Sequence, residues 1–110
     1  MRLGEVGIDR VVTSIIVAAE LRYGVAKRRS ASLADTVERI LGSFPVLPFE
    51  PPADLLYGKV RSDLEAFGTP IGHNDMLIAA HALALDCILV TDNVREFSRI
   101  DGLTIENWLR

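Results

Sequence analysis

Hydrophobic positions in the first half of the chain follow the period of a strand and then the period of helices. The β-branched run from Val11 to Ile16, interrupted by Thr13 and Ser14, predicts a strand that ends at Thr13 or Ser14. One of these two hydroxyl side chains caps a helix over about Ile15–Arg28. A second helix is expected to begin at Ser32. The segment Pro45–Phe49 is a short extended piece whose prolines suit the edge of a sheet.

The second half of the chain predicts further helices and strands. The stretch Met76–Leu85 is apolar nearly all round, which predicts a buried helix. The short run Ile88–Val90 follows almost at once and predicts an interior strand of a parallel sheet. A single turn and a last strand near Leu103–Ile105 complete the pattern. Before them, the buried face of a helix that starts after Pro51 and Pro52 is assigned to Leu55, Leu56, Val60, Leu64 and Phe67.

The order of these elements predicts the fold class. Strands alternate with helices, which predicts a parallel α/β sheet with helices on both faces, formed by one domain over residues 1–110. The first residues, Met1–Arg10, are polar with two glycines and are too short for an element of their own. They fit the end of a helix that begins before the chain does.

Composition narrows the classes of function. With 110 residues, 49% apolar and 25% charged, the chain is globular and not disordered. A net charge of −3 argues against binding nucleic acid by bulk positive charge, so a polyanionic substrate would need a bound cation or a local basic patch. The single cysteine, Cys87, excludes an internal disulfide and fits a buried position in a reducing compartment. No signal peptide or membrane-length apolar run is present, so a cytoplasmic location without a membrane partner is expected.

Acidic residues occur at places that structure alone does not favour. Glu20 falls in the first two turns after one predicted strand, Asp75 begins the buried helix, and Asp92 ends the strand that follows. The carboxyl ends of parallel strands share one edge of the sheet, where ligands bind. Carboxylates gathered there repel one another unless a cation offsets them, and Mg²⁺ or Mn²⁺ prefers oxygen ligands. The sequence therefore predicts an acidic rim that suits a divalent ion.

Each of these residues also has a purely structural explanation. Asp75 is favourable at the start of a helix dipole, Asp92 is ordinary turn chemistry, and Glu20 suits a helix surface. His81 fits a packed or partly exposed position in its helix. The basic run Lys27–Arg29 fits either a solvated helix end or a local phosphate-binding patch.

Three separated segments, in order, give the chain a family likeness: TSIIVAAELRYGVAK, PIGHNDMLIAAHALALDCILVTDN and REFSRIDGLTIENW. They closely resemble PIN-domain toxins of the VapC type, from bacterial VapBC toxin–antitoxin pairs, and the resemblance covers nearly all of the chain. It implies a small parallel α/β domain that cleaves RNA with Mg²⁺ or Mn²⁺. It also implies a VapB-like antitoxin that wraps around the toxin and blocks its site.

The resemblance assigns roles residue by residue. The family's acid in the AEL motif matches Glu20, its acid before the IAAHA helix matches Asp75, and its acid after the last core strand matches Asp92. These three are the implied catalytic and metal-binding residues. Thr91 and Asn93 are the implied neighbours that position metal or phosphate.

One part of the family pattern is missing from this sequence. The family opens with a central strand that ends in an Asp-Thr-Asn type sequence, whose Asp is a principal metal ligand, and Asp9 does not match it because Arg10 follows. A missing central strand would leave unpaired backbone groups beside a gap. The gap would be closed by the neighbouring strands, by another chain, or within a dimer or an antitoxin complex, so a homodimer or higher oligomer is expected.

Competing hypotheses of function follow. The first is a metal-dependent endoribonuclease toxin in which Glu20, Asp75 and Asp92 are the surviving ligands. The second is a shortened remnant, weakly active or inactive, that binds antitoxin or another toxin chain without efficient cleavage. A third is another Mg²⁺-dependent phosphoryl-transfer domain, since an acidic rim alone does not identify RNA.

Overall fold

Strands and helices alternate along the chain in the computed structural model, which describes residues 2–3, 11–91 and 93–107. Within that part of the chain, no helix is both long and apolar enough to cross a bilayer. The elements are β1 (Arg2–Leu3), β2 (Val11–Ser14), α1 (Ile15–Arg28), α2 (Ala31–Ser43), β3 (Val46–Leu47), α3 (Ala53–Ala66), α4 (His73–Leu85), β4 (Ile88–Val90), α5 (Val94–Phe97) and β5 (Ile105–Glu106).

All strand pairs in the sheet are parallel, in the order β3-β2-β1-β4-β5. This confirms the predicted α/β class, the interior position of β4 and the edge position of β3. The last strand starts later than predicted, at Ile105 instead of Leu103. The chain joins the ladder only at Thr104, whose carbonyl accepts a hydrogen bond of 2.9 Å from the Leu89 N–H.

The centre of the sheet is formed by β1, which pairs with β2 on one side and with β4 on the other. Arg2 aligns with Val11 and Ile88, and Leu3 aligns with Val12 and Leu89. The prediction that the first ten residues form no element was therefore wrong, because Arg2 and Leu3 occupy the central position of the sheet. The absence of the family's opening strand with its acidic end stays a prediction. Strands β2 and β4 both present backbone groups to the position between them, and a short extended segment is enough to pair with both. The oligomer was expected because a missing strand would leave a gap in the sheet. Since β1 fills that position, the gap no longer supports an oligomer, which stays a prediction.

Helices α1 and α2 begin at serine caps. The Ser14 Oγ accepts a hydrogen bond of 3.0 Å from the Ile16 N–H. Of the two hydroxyl residues predicted as caps of α1, Ser14 is therefore the one that caps it. Helix α2 begins at Ala31 and not at Ser32, because the Ser30 Oγ accepts a 3.2 Å bond from the Leu33 N–H and so caps the helix earlier.

Two apolar clusters hold the layers together. The larger one packs α3 and α4 against the sheet and includes Met76, Leu89 and Phe97, while the smaller one joins α1 to α2 through Ala18, Val37 and Leu41. Helix α4 is buried along most of its length, as predicted. Cys87, just before β4, is buried as well, and burial raises the pKa of its thiol.

The predicted buried face of α3 is wrong at both of its ends. Val60 and Leu64 are buried, but Leu55 and Phe67 are 73% and 78% exposed. Leu55 lies about 140° around the helix axis from Val60, which turns it away from α4. Phe67 is the C-cap residue that follows the last helical residue, where the helix ends.

Candidate active site

Asp75 lies in the first turn of α4, which runs back along β4 from the edge where β2 and β4 end. The helix starts at His73, earlier than predicted, because Gly72 takes the N-cap position and no side chain caps the turn. Asp75 is therefore inside the first turn and not ahead of it. A carboxylate there interacts favourably with the helix dipole, so the structural explanation of this residue also holds.

The surroundings of Asp75 disfavour its negative charge. Burial raises its pKa first, and the hydrogen bond that a protonated Asp75 donates to Glu96 raises it further, followed by the negative charges of Glu96 and Glu20. A carboxyl group that is partly desolvated and faces other carboxylates favours a bound cation. The residues around Asp75 therefore have the electrostatic character predicted for the rim.

Glu20 is exposed on α1 and lies close enough to Asp75 for its charge to act on it. The helix that carries Glu20 starts directly from the last residue of β2, so its first turns lie at the same edge as the start of α4. The fold thus brings together two of the three acids that the sequence singled out, from positions far apart in the chain.

Glu96 is an acidic residue of this rim that sequence reasoning missed. It lies on the short helix α5, half-buried, and its Oε2 accepts a 3.3 Å hydrogen bond from the Asn93 Nδ2. The sequence signal was a glutamate in the first turn of the element that follows β4. A single-turn segment of four residues gives too weak a helical period to fix which side chain faces the rim.

Asp92 lies outside the described residues, so its assignment stays a prediction. Its two neighbours are fixed by hydrogen bonds. The Asn93 N–H donates to the Thr91 Oγ1 at 3.0 Å, and the Thr91 N–H donates to the carbonyl of Glu106 at 3.0 Å. Thr91 and Asn93 thus connect the end of β4 to β5 on one side and to Glu96 on the other.

The chemistry of the donors fits a hard divalent cation, since carboxylate and amide oxygens are the ligands that Mg²⁺ and Mn²⁺ prefer. Within residues 2–3, 11–91 and 93–107, no three acidic, histidine or cysteine side chains are grouped closely enough to hold a metal ion. The described part of the rim therefore supplies a partial ligand set, with Asp75 beside Glu96 and within range of the Glu20 charge.

His81 connects α4 to the beginning of α1 beneath the rim. Its side chain is 1% exposed, and its Nδ1 lies 2.7 Å from the Ser14 Oγ. The Phe49 ring packs edge-on against the imidazole, with 5.4 Å between the ring centroids. Burial lowers the pKa of His81, while the Pro48 backbone and Glu50 act in the opposite direction. The neutral imidazole is therefore the form that fits this packed position.

A groove of about 470 Å³ lies elsewhere, between α3 and the segment after α5. Leu56, Lys59, Phe67 and Arg99 line it, and neither Glu20 nor Asp75 does. Two acids also line it, Asp63, which is paired with Lys59, and Asp101, but no acid of the rim does. The candidate active site is therefore the acidic rim and not this groove.

A parallel sheet with a rim of carboxylates at the strand ends defines a class of α/β protein suited to cation-assisted chemistry on phosphates. Residues 2–103 match the PIN domain family model. The chain belongs to the PIN domain family, and the fold expected from the sequence resemblance is confirmed.

Relatives with assigned functions match most of the chain. Ribonuclease VapC2 of Rickettsia felis is 40% identical over 101 residues, which cover 91% of this chain and 75% of that protein. The tRNA(fMet)-specific endonuclease VapC of Salmonella typhimurium is 39% identical over 102 residues, which cover 91% of this chain and 76% of that protein. The predicted likeness to VapC proteins is confirmed.

Solved structures agree with the sequence comparison. The toxin–antitoxin complex VapBC2 of Rickettsia felis, bound to a promoter DNA fragment, contains a chain with a TM-score of 0.83 and 40% identity, over 89% of this chain and 74% of that one. VapBC-1 of nontypeable Haemophilus influenzae contains a chain with a TM-score of 0.85 and 37% identity, over 96% of this chain and 79% of that one.

Proposed function

We propose that this chain is a Mg²⁺- or Mn²⁺-dependent endoribonuclease, the toxin of a toxin–antitoxin pair. The observation that supports it most directly is the position of Asp75, partly buried beside Glu96 and within range of the Glu20 charge, in the first turn of α4 in a PIN domain. This juxtaposition is costly for folding, because each carboxylate raises the energy of the others. A bound cation would offset this repulsion among the carboxylates.

In this proposal Glu20, Asp75 and Asp92 hold the metal, and Glu96 contributes a further carboxylate. When bound, the ion would lower the pKa of a water molecule and stabilise the charge that develops on the phosphodiester. Asn93 keeps Glu96 oriented through its amide, and Thr91 holds the backbone of Asn93.

A VapB-type antitoxin is the proposed protein partner. The two solved structures described above are VapBC assemblies, which supports a partner of the VapB type. An antitoxin segment that covers the rim would exclude RNA from Asp75 and Glu96. It would also bury apolar residues near the rim that are now partly exposed, Ile15 at 43% and Val94 at 39%.

A second candidate is a PIN-domain protein that binds antitoxin or another toxin chain without efficient cleavage. The observation that favours it is the partial ligand set, since the described residues contain no group of three metal ligands. In addition, Arg2 and Leu3 form the central strand, and neither is the acid that the family resemblance places at that strand's end.

The experiment that separates these functions is RNA cleavage in Mn²⁺ by the unaltered chain and by Asp75→Asn and Asp92→Asn. The matched control is Asp86→Asn, the same chemical change at the other end of α4, where Asp86 is exposed and has a positive φ that asparagine also accepts. We expect cleavage by the unaltered chain and by Asp86→Asn, and a loss of at least about 100-fold in the other two variants.

Equal cleavage by all four proteins would overturn the assignment of Asp75 and Asp92. An unaltered chain that binds a VapB-type antitoxin but leaves RNA intact in Mn²⁺ would favour the second candidate.

A further inference from the structure

We propose that the exposed face of α1 beside Glu20 binds the RNA strand, with Tyr23 as a stacking platform for a base and Lys27 as a contact for a phosphate. The inference rests on the proposed ribonuclease function and deepens it, since it assigns a binding surface for the substrate next to the acidic rim. We call Glu20, Tyr23, Gly24 and Lys27 the α1 track.

Helical spacing places the residues of the α1 track on one face. Tyr23 and Lys27 follow Glu20 by three and seven residues, so they lie above it on the same side of the helix. With a rise of about 1.5 Å per residue, Lys27 is about 10 Å along the helix axis from Glu20. A strand with its scissile phosphate at the rim would therefore meet Tyr23 first and Lys27 next.

Tyr23 has the exposure of a binding residue and not of a packing anchor. Its side chain is 67% exposed, and the Lys27 Nζ lies 5.9 Å from the ring centroid. Beside it, a Cβ on Gly24 would meet nothing within 4 Å, so the helix surface next to the ring is open. An open aromatic face with free space at its side is the arrangement on which unpaired bases stack.

The charges around α1 leave Lys27 available. Arg22, on the other side of the helix, forms an ion pair with Glu38 of α2 and is thereby held away from the track. Lys27 has no carboxylate partner among the described residues, and its ammonium group instead lies over the tyrosine ring. The chain carries a net charge of −3 and its rim is acidic, so an RNA strand needs local cations of this kind to approach.

The position of Lys27 in the last turn of α1 also interacts favourably with the helix dipole, but this accounts for the lysine alone. It does not explain an exposed aromatic ring on the face that leads to Glu20. Tyrosine is also enriched at protein–protein interfaces, but the core of such an interface is depleted in charged residues, whereas Tyr23 lies between Glu20 and Lys27 on this track. The combination of a ring and a cation beside a proposed phosphodiester-cleaving site favours a single-stranded RNA over a protein segment.

The experiment measures binding of a fluorescein-labelled single-stranded RNA oligonucleotide by anisotropy, with Ca²⁺ replacing Mg²⁺ so that binding is followed separately from cleavage. We expect Tyr23→Ala to raise the Kd about tenfold or more, because a stacked base is lost, and Tyr23→Phe to keep it within about twofold. Lys27→Gln should reduce the slope of log K against log salt by about 0.7, the value for one phosphate contact on a single strand.

The matched control is Lys59→Gln on α3, whose lysine forms an exposed ion pair with Asp63. It should leave the salt slope unchanged. In Mn²⁺, Tyr23→Ala and Lys27→Gln should each have a higher KM and an unchanged kcat. Each variant loses an interaction that is equally strong in the ground state and the transition state. Both substituted residues are exposed, and thermal melting checks that the variants remain folded.

Each result has a distinct meaning. An unaltered chain that neither binds nor cleaves RNA overturns the proposed function and the track together. An unaltered chain that binds and cleaves RNA, with the same Kd and salt slope in Tyr23→Ala and Lys27→Gln, overturns the track alone. A Tyr23→Ala protein that loses self-association or antitoxin binding while its RNA affinity is unchanged identifies the face as a protein interface and also overturns the track.

Discussion

The hydroxyl of Ser14 and the imidazole of His81 lie 2.7 Å apart, although 67 positions separate them in the chain. Ser14 Oγ already accepts a hydrogen bond from the Ile16 N–H, which leaves its own hydrogen free for the Nδ1 of His81. The hydroxyl therefore caps α1 and ties it to α4 at the same time. These helices carry Glu20 and Asp75, so the contact fixes the scaffold of the acidic rim.

Removing this hydroxyl should destabilise the protein more than removing an ordinary helix cap. Ser14→Ala loses the cap of α1, worth about 1 kcal/mol, and also leaves a buried nitrogen of His81 without a partner, which costs about 1–3 kcal/mol. Ser30→Ala is the matched control, because Ser30 caps α2 through the Leu33 N–H and has no imidazole on its other side. Urea unfolding of both variants gives the comparison, and equal losses would show that the imidazole contact adds nothing.

The buried imidazole should make stability depend on pH. Its pKa is lowered in the folded protein, chiefly by burial, so below about pH 6.5 the unfolded chain binds a proton that the folded protein does not. The free energy of unfolding should therefore fall as the pH drops from 6.5 toward the lowered pKa, and should not change through this residue above 6.5. Unfolding at pH 7.5 and 5.5 measures the effect.

His73→Gln serves as the control for this pH effect, because His73 is exposed. That variant should keep the loss of stability between the two pH values. His81→Gln should remove most of it, although its stability at pH 7.5 will be lower because the packing is disturbed. A loss of stability at pH 5.5 that is as large in His81→Gln as in the unaltered protein would contradict this origin.

Neutralising Asp75 should stabilise the protein while it removes the metal response. The raised pKa means that folding favours the protonated carboxyl group of Asp75. The contribution of Asp75 to the free energy of unfolding is therefore lost as the pH rises through that pKa, and the ionised carboxylate destabilises the folded protein near pH 7. Asp75→Asn removes the repulsion with Glu96 and Glu20, and its melting temperature without metal should exceed that of the unaltered chain. Mg²⁺ at ten times its Kd should add about 1.4 kcal/mol to the unaltered protein and much less to the variant.

Calorimetry with and without Mg²⁺ measures both effects, and Asp86→Asn is again the control at the other end of the helix. That control should respond to Mg²⁺ as the unaltered protein does. If Asp75→Asn melts at a lower temperature than the unaltered chain in the absence of metal, the favourable interaction of Asp75 with the helix dipole outweighs its repulsion by Glu96 and Glu20. That result would contradict the claim that the rim carboxylates destabilise the protein without metal.

Local sequence signals predicted the elements that carry their own start or stop. Helix α1 and strands β2 and β4 have the predicted bounds, because a hydroxyl cap and β-branched runs mark them. The likeness to VapC proteins added the identity of the fold. Asp75 and Glu20 were predicted to share a rim because parallel strands end at one edge, and the charge interaction between them agrees with this.

Features that depend on tertiary contacts were not predictable in this way. The two residues of β1 have no strand signal of their own and become a strand only through the backbone groups of β2 and β4 on either side. Glu96 lies near Asp75 because the single-turn helix α5, which follows β4, carries it at that edge of the sheet. The contact of Ser14 with His81 joins distant parts of the chain, and no sequence spacing announces it.

The reactivity of Cys87 can be used to measure local unfolding of the protein. It is the single thiol of the chain, it is 6% exposed between α4 and β4, and burial raises its pKa, so little reactive thiolate reaches solvent while the fold is closed. A disulfide reagent will therefore modify it mainly when the larger apolar cluster comes apart. The rate of that modification measures how often α4 leaves the sheet, with no label added to the acidic rim.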